Sequence, residues 1–231
     1  MDKNPDILVV LLTYNRGEKC NQVINQILKQ SIPNWNLLII DDGSENIHGE
    51  VVRTHVNKIN DPRVTYIKNP VNLKVPNTIN VGIDKFLAGN WEYFTWVSDD
   101  NEYYPNYLKN LYDLHGTFSH SAWKYGDRII SSEYKNFNDV SRGWKGLASY
   151  MWNRETIKTV GKYNPNYLYV SDLEFLYKTF YLIRKGIKYS DKCEMKYIIH
   201  GDADSVKNRE KMLNEHQHLN QNFINYILLE N

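Results

Sequence analysis

Four short apolar runs punctuate the first hundred residues at intervals of about 30: Ile7–Leu12, Leu37–Ile40, Val64–Lys68 and Tyr93–Ser98. Each reads as a strand, Ile7–Leu12 as a buried one and the Tyr93 run as one buried on both faces. Helical patterns lie between them. Cys20, Val23, Ile24, Ile27 and Leu28 share one face before Pro33; Val51–Ile59 forms a second helix; Pro76 opens a third that runs to Leu87 and stops at Gly89-Asn90. Strands alternating with helices at this spacing fold as a parallel sheet with helices on both faces, because a crossover must lie over the sheet. The expected fold class is therefore α/β.

Three of these runs end in polar clusters: Thr13-Tyr14-Asn15-Arg16, Asp41-Asp42-Gly43-Ser44 and Ser98-Asp99-Asp100-Asn101. In a parallel sheet the C-terminal ends of the strands share one edge, where ligands sit, so the three clusters are expected to line one cleft. Taken singly, each fits a turn or a helix cap, since Asp and Asn favour both. Two adjacent carboxylates repel unless a cation or donors offset them, and Mg²⁺ or Mn²⁺ prefers carboxylate oxygens shared with substrate phosphates. Asp99-Asp100 is thus a candidate metal holder on a nucleoside diphosphate.

After Asn101 the pattern loosens. Pro105 starts a helix to about His115; Trp123–Tyr134 and Leu147–Trp152 read as strands separated by the polar segment 135–143. Asn153 caps a short helix ended by Gly161, and Asp172–Arg184 is helical with Leu173, Leu176, Phe180 and Ile183 in a stripe. Met195–His200 is a strand, and Asn208–Leu229 is amphipathic. With no repeat or linker, one domain of 231 residues is expected: a nucleotide-binding half to about 101, an acceptor half over about 102–205 and a final helix.

The net charge of +1 gives no electrostatic case for a nucleic-acid partner or an anionic membrane. Cys20 and Cys193 have neither disulfide-framework nor metal-ligand spacing and read as free thiols of a reducing compartment. No apolar stretch approaches the roughly 18 residues of a membrane span, and Ile7–Leu12 is a strand rather than a signal-peptide core. The expected location is the cytosol. Some of the 18 tyrosines and 6 tryptophans could line a sugar cleft, although aromatics mostly build cores.

Together the motifs resemble the family-2 glycosyltransferases of the GT-A (nucleotide-diphospho-sugar transferase) fold. Thr-Tyr-Asn-Arg follows the first strand, Asp-Asp-Gly-Ser the second and Ser-Asp-Asp-Asn the fourth. Asn72-Leu73 with Asn80-Val81-Gly82, and Gly161-Lys162-Tyr163 with Ser171-Asp172, match the family in part. The resemblance covers about residues 7–205 and implies a mostly parallel central sheet plus a small antiparallel acceptor-side sheet. It implies a UDP-sugar donor (UDP-glucose first), a glycan or glycoconjugate acceptor, and Mn²⁺ or Mg²⁺.

By this resemblance Thr13, Tyr14 and Arg16 lie against the nucleotide and Asp42 accepts the uracil N3–H. Asp99 meets the ribose and shares the metal with Asp100; His200 approaches the metal or diphosphate. Asp172, or alternatively Glu174, is the base that deprotonates the acceptor hydroxyl in an inverting transfer. Trp144 and Tyr150 are candidates for an acceptor platform by position, and His216 and His218 read as ordinary helix residues. Lys74 stands where the family usually has Gly, Ile79 where it often has Arg, and Ser171 where Glu is common; Lys74 could supply the cation that Ile79 omits. The rival readings are a sugar-phosphate nucleotidyltransferase, which would want a Gly-rich basic loop after the first strand, and a non-catalytic nucleotide- or sugar-binding module.

Overall fold

In the computed structural model, which describes residues 6–143, 146–199 and 207–230, a seven-stranded sheet forms the centre of the molecule. Strands β1 (Ile7–Thr13), β2 (Trp35–Asp41), β3 (Val64–Lys68) and β4 (Tyr93–Ser98) pair in parallel in the spatial order 3-2-1-4. Between them run helices α1 (Gly17–Leu28), α2 (Asn46–Ile59) and α3 (Val75–Ala88). β1 is apolar up to its last residue, Thr13, and its apolar residues separate by parity. Ile7, Val9 and Leu11 join the core under α1 and α2, while Leu8 and Val10 join the one under α3. Full burial of each such side chain contributes about 1.5–3 kcal/mol.

The second half extends the same sheet. β5 (Glu102–Tyr103) and α4 (Tyr107–Tyr112) lead to β6 (Phe118–Ser121), then to the hairpin of β7 (Trp123–Tyr125) and β8 (Arg128–Ile130). Helix α5 (Phe137–Gly143) is followed by β9 (Tyr150–Asn153), α6 (Arg154–Val160), α7 (Ser171–Leu182), β10 (Ile187–Ser190), β11 (Met195–Tyr197) and the closing helix Arg209–Glu230. β9 pairs antiparallel with both β4 and β6, and β10 runs parallel to β6, completing the order β10-β6-β9-β4-β1-β2-β3. The second sheet, β5-β11-β7-β8, is antiparallel except at its central β11–β7 pair, which is parallel.

Three elements differ from the sequence expectation. The strand expected over 123–134 is the short hairpin β7–β8, and a separate strand, β6, precedes it. The polar segment 135–143 contains α5: Asn136 caps it through the backbone N–H groups of Asn138 and Asp139, while Phe137 docks on Tyr177 and Phe223. β10 escaped notice because Ile187-Lys-Tyr-Ser190 is short and half-buried at the sheet edge. No described helix is long and apolar enough to cross a membrane, and both cysteines are free.

Candidate active site

Register brings the polar clusters together. Thr13 pairs with Asp41 across β1–β2, and Leu12 pairs with Ser98 across β1–β4, so the three strands end in step. The backbone ladder continues one residue further, with the Asp42 N–H donating to the Thr13 carbonyl at 2.9 Å. Beyond these ends lies an open hollow of about 530 Å³. Its wall includes Thr13, Tyr14, Arg16, Asp42, Asp99, Asp100 and Asp172.

The two carboxylates after β2 divide the work. Asp41, fully buried, accepts the Ser44 N–H at 2.7 Å and the Tyr66 hydroxyl at 2.6 Å, and so shapes the turn. Gly43 turns at φ 76°, and a Cβ there would meet the Val71 carbonyl carbon at 2.5 Å; glycine is required. Asp42 points its carboxylate to the next loop instead. Its Oδ1 accepts Asn69 Nδ2 and the Leu73 N–H, both at 2.9 Å, and its Oδ2 accepts the Lys74 N–H at 3.0 Å. These three N–H donors fix the plane of the carboxyl group.

Lys74 adopts φ 70° and ψ 160°, a region suited to glycine. Its side chain is exposed and does not line the hollow, so what the structure shows at the Asp42 end is its backbone N–H. Ile79 is fully buried in the core under α3.

At the end of β4, Asp99 is 6% exposed and accepts the Thr13 hydroxyl at 2.7 Å. Burial first, and neighbouring Asp100 after it, push its carboxyl up to about 7 against the pull of Thr13, Arg16 and Lys19. Asp100 Oδ2 takes Arg16 Nη1 at 3.1 Å, and its Oδ1 takes the Ser98 hydroxyl. Arg16 therefore stands over the carboxylate pair, bringing a cation to the mouth of the hollow.

Asp172 lies across the hollow in the first turn of α7. Its Oδ1 accepts the N–H of the next residue, Leu173, at 2.8 Å, and no side chain caps the helix at Val170. Protein atoms surround the carboxylate densely, and this desolvation raises its pKa despite Leu173 and the charge of His216. A carboxylate held short of full solvation and poised above its ordinary range suits proton abstraction.

Glu174 is a different case. It is wholly buried, forms an ion pair with Lys178 at 3.1 Å and lies outside the hollow, so its position corrects the expectation of an alternate base. A buried paired carboxylate serves packing, and removing it would strand Lys178. His200 and Trp144 lie outside the described residues. Tyr150 lines the hollow but is 5% exposed.

Two features were hidden from the sequence. Trp123 and Tyr197, from the second sheet, line the hollow opposite the β1–β4 edge, their rings 6.1 Å apart. Glu215 of the closing helix accepts three consecutive backbone N–H groups, Leu168 at 3.2 Å, Tyr169 at 2.7 Å and Val170 at 3.2 Å. Leu168 and Tyr169 line the hollow just before Asp172. Nothing in the sequence around Glu215 distinguishes it from other exposed helical glutamates; only the docking of the helix shows its task.

Comparison with known proteins places this geometry. Residues 8–182 match the model of Glycosyl transferase family 2. The glycosyl transferase WcaA of Escherichia coli K12, named for colanic acid biosynthesis, is 35% identical over 108 residues, 47% of this chain and 37% of that protein. Glycosyltransferase GlyG of Streptococcus pneumoniae is 28% identical over 106 residues, 46% of this chain and 34% of its own. The matched parts thus span little more than a third of these relatives. Among solved structures, S. aureus TarS residues 1–349 superposes with a TM-score of 0.66 at 16% identity, covering 83% of this chain and 60% of that one. The mannosyltransferase PcManGT of Pyrobaculum calidifontis, solved with GDP-Man and Mn²⁺, gives 0.67 at 14% identity over 93% of this chain and 64% of its own.

Proposed function

The chain belongs to glycosyl transferase family 2, and from that premise we propose that it is a metal-dependent, inverting glycosyltransferase. It moves a hexose from a UDP-sugar to a hydroxyl of a glycan or glycoconjugate. The observation that carries this reading is that Asp42, the Asp99-Asp100 pair and Asp172, from three separate regions of the chain, line one hollow.

Roles follow from position. Asp42, its plane fixed by three donors, accepts the N3–H of the base. Thr13 and Tyr14 wall the nucleotide, and Asp99 meets the ribose. Asp100, with Asp99, fits a divalent ion: two adjacent carboxyl groups share one end of the hollow, where Arg16 is ion-paired with Asp100 at 3.1 Å. No group of three or more His, Cys, Asp or Glu among the described residues could hold a metal unaided. That matches Mg²⁺ or Mn²⁺ bound through one or two carboxylates and completed by substrate phosphates. Bound there, the ion would neutralise charge on the leaving diphosphate.

Asp172 takes the acceptor's proton as its oxygen attacks the anomeric carbon opposite the departing UDP, which inverts that centre. One base suffices, and no covalent intermediate forms. Trp123 and Tyr197 offer ring faces and edges on the acceptor side. UDP-glucose is the first donor to test, and UDP-GlcNAc stands beside it because TarS has been solved with that sugar nucleotide.

The nucleotidyltransferase reading lacks its phosphate loop. Gly17, the single glycine after β1, is buried against α2, where a Cβ would meet the His48 carbonyl oxygen at 2.9 Å. Its bareness serves helix packing. The deciding experiment is a thermal-shift series with UDP-, GDP- and dTDP-sugars, with and without Mn²⁺. A UDP-sugar should stabilise the protein by an amount set by its affinity, and more so with metal; no shift with any nucleotide would refute the proposal.

A further inference from the structure

Six buried side-chain polar atoms among the described residues have no hydrogen-bond partner, and Thr78 Oγ1 is the one whose residue lines the hollow. Thr78 is 1% exposed in the first turns of α3. A helical threonine normally returns its hydroxyl to the carbonyl four residues back. Here the Lys74 carbonyl is taken by the Thr78 backbone N–H at 3.0 Å, and the hydroxyl makes no such bond. An unpaired buried hydroxyl is worse than a methyl group of the same shape, so its presence calls for a partner that arrives from outside.

Asp42 is an acceptor on the wall of the same hollow. Its Oδ2 takes one protein donor, the Lys74 N–H, and a carboxylate oxygen has room for a second. The two groups are tied to opposite sides of a single residue: Asp42 holds the Lys74 N–H and Thr78 holds the Lys74 carbonyl. The same wall thus carries a carboxylate oxygen that accepts and a hydroxyl that donates.

We propose that Thr78 is a base-reading residue. Its hydroxyl donates to a carbonyl oxygen flanking the N3–H that Asp42 accepts, so that the pair recognises the imide edge of uracil. Cytosine presents a lone pair at N3 to the carboxylate and is refused. This assignment rests on the reading of the hollow as a UDP-sugar site.

Titration calorimetry with UDP, CDP and GDP in Mn²⁺, on the wild type, Thr78→Val and Thr78→Ser, tests it. The wild type should prefer UDP. Thr78→Val should lose about tenfold in UDP affinity, the loss of one hydrogen bond to a ligand, leave weak CDP binding unchanged, and melt no lower than wild type without ligand. Thr78→Ser should stay within about threefold of wild type for UDP. Unchanged UDP binding in Thr78→Val overturns the proposal while sparing the transferase reading. Equal weakening of UDP and CDP, or a lower melting point of ligand-free Thr78→Val, overturns it too, since the hydroxyl would then be satisfied internally. GDP outbinding UDP overturns the uracil assignment. No nucleotide binding by the wild type would remove both readings together.

Discussion

The two halves of the hollow hold their carboxylates by different means. On the β1–β4 edge every acidic group is fixed by residues one strand or one turn away: Thr13 on Asp99, Arg16 on Asp100, the 69–74 loop on Asp42. On the α7 side, Asp172 is held by backbone N–H groups of its own helix turn, and the loop before it hangs from Glu215, 43 residues further along. In the proposed reading, the edge that binds the same nucleotide each turnover can be rigid by local design, and the acceptor side, held through a distant helix, can be altered without disturbing the sheet.

This contrast makes the halves separable by mutation. The largest effect is expected from Asp172→Asn, which should lower UDP release from the bound donor by about 10³-fold while leaving Mn²⁺-dependent UDP affinity within about twofold of wild type. Asp100→Asn should instead abolish the metal enhancement of UDP binding. Equal loss of UDP binding in both variants would show that the halves do not act independently.

Glu215→Gln comes next. Weakening three charge-assisted bonds should loosen the 168–170 loop, reduce turnover roughly tenfold and leave the calorimetric Kd for UDP unchanged. A change in UDP affinity of similar size would mean that the closing helix supports the donor half as well.

Stability against pH sharpens the same point. Because burial raises the Asp172 pKa above its ordinary 3.8, the native state holds a proton that the unfolded chain has released in the interval between the two values. Stability is therefore lost as pH rises through the folded pKa, and the ionised carboxylate is a burden at neutral pH. Asp172→Asn should melt higher than wild type at pH 7. The difference should vanish below about pH 3.8 in melting curves taken across the range. His120 acts in the opposite sense: burial lowers it to about 4, so its contribution declines as pH falls from 6.5.

The smallest effect is expected at Lys74. Glycine would relieve the positive-φ strain, partly offset by the greater freedom of an unfolded glycine, for a net rise in Tm of about 2 °C. If Lys74→Gly also keeps full UDP affinity, the lysine side chain adds nothing to the donor half beyond its backbone N–H.

What the residues determined by themselves was the donor half. Buried strands declare themselves as apolar runs, and a parallel sheet gives each strand one ligand-facing end, so Thr13, Asp42, Asp99 and Asp100 could be assigned to a common edge from order alone. Asp172 was legible only through a family motif, because a first-turn aspartate is also what any helix start favours. The tertiary structure alone decided that Glu174 is buried with Lys178, that Lys74 contributes its backbone, that Trp123 and Tyr197 reach the hollow, and that Glu215 suspends the loop ahead of Asp172. Those outcomes depend on how helices and the second sheet dock across long stretches of chain, and side-chain periodicity carries the face of an element, not the neighbour that face will meet.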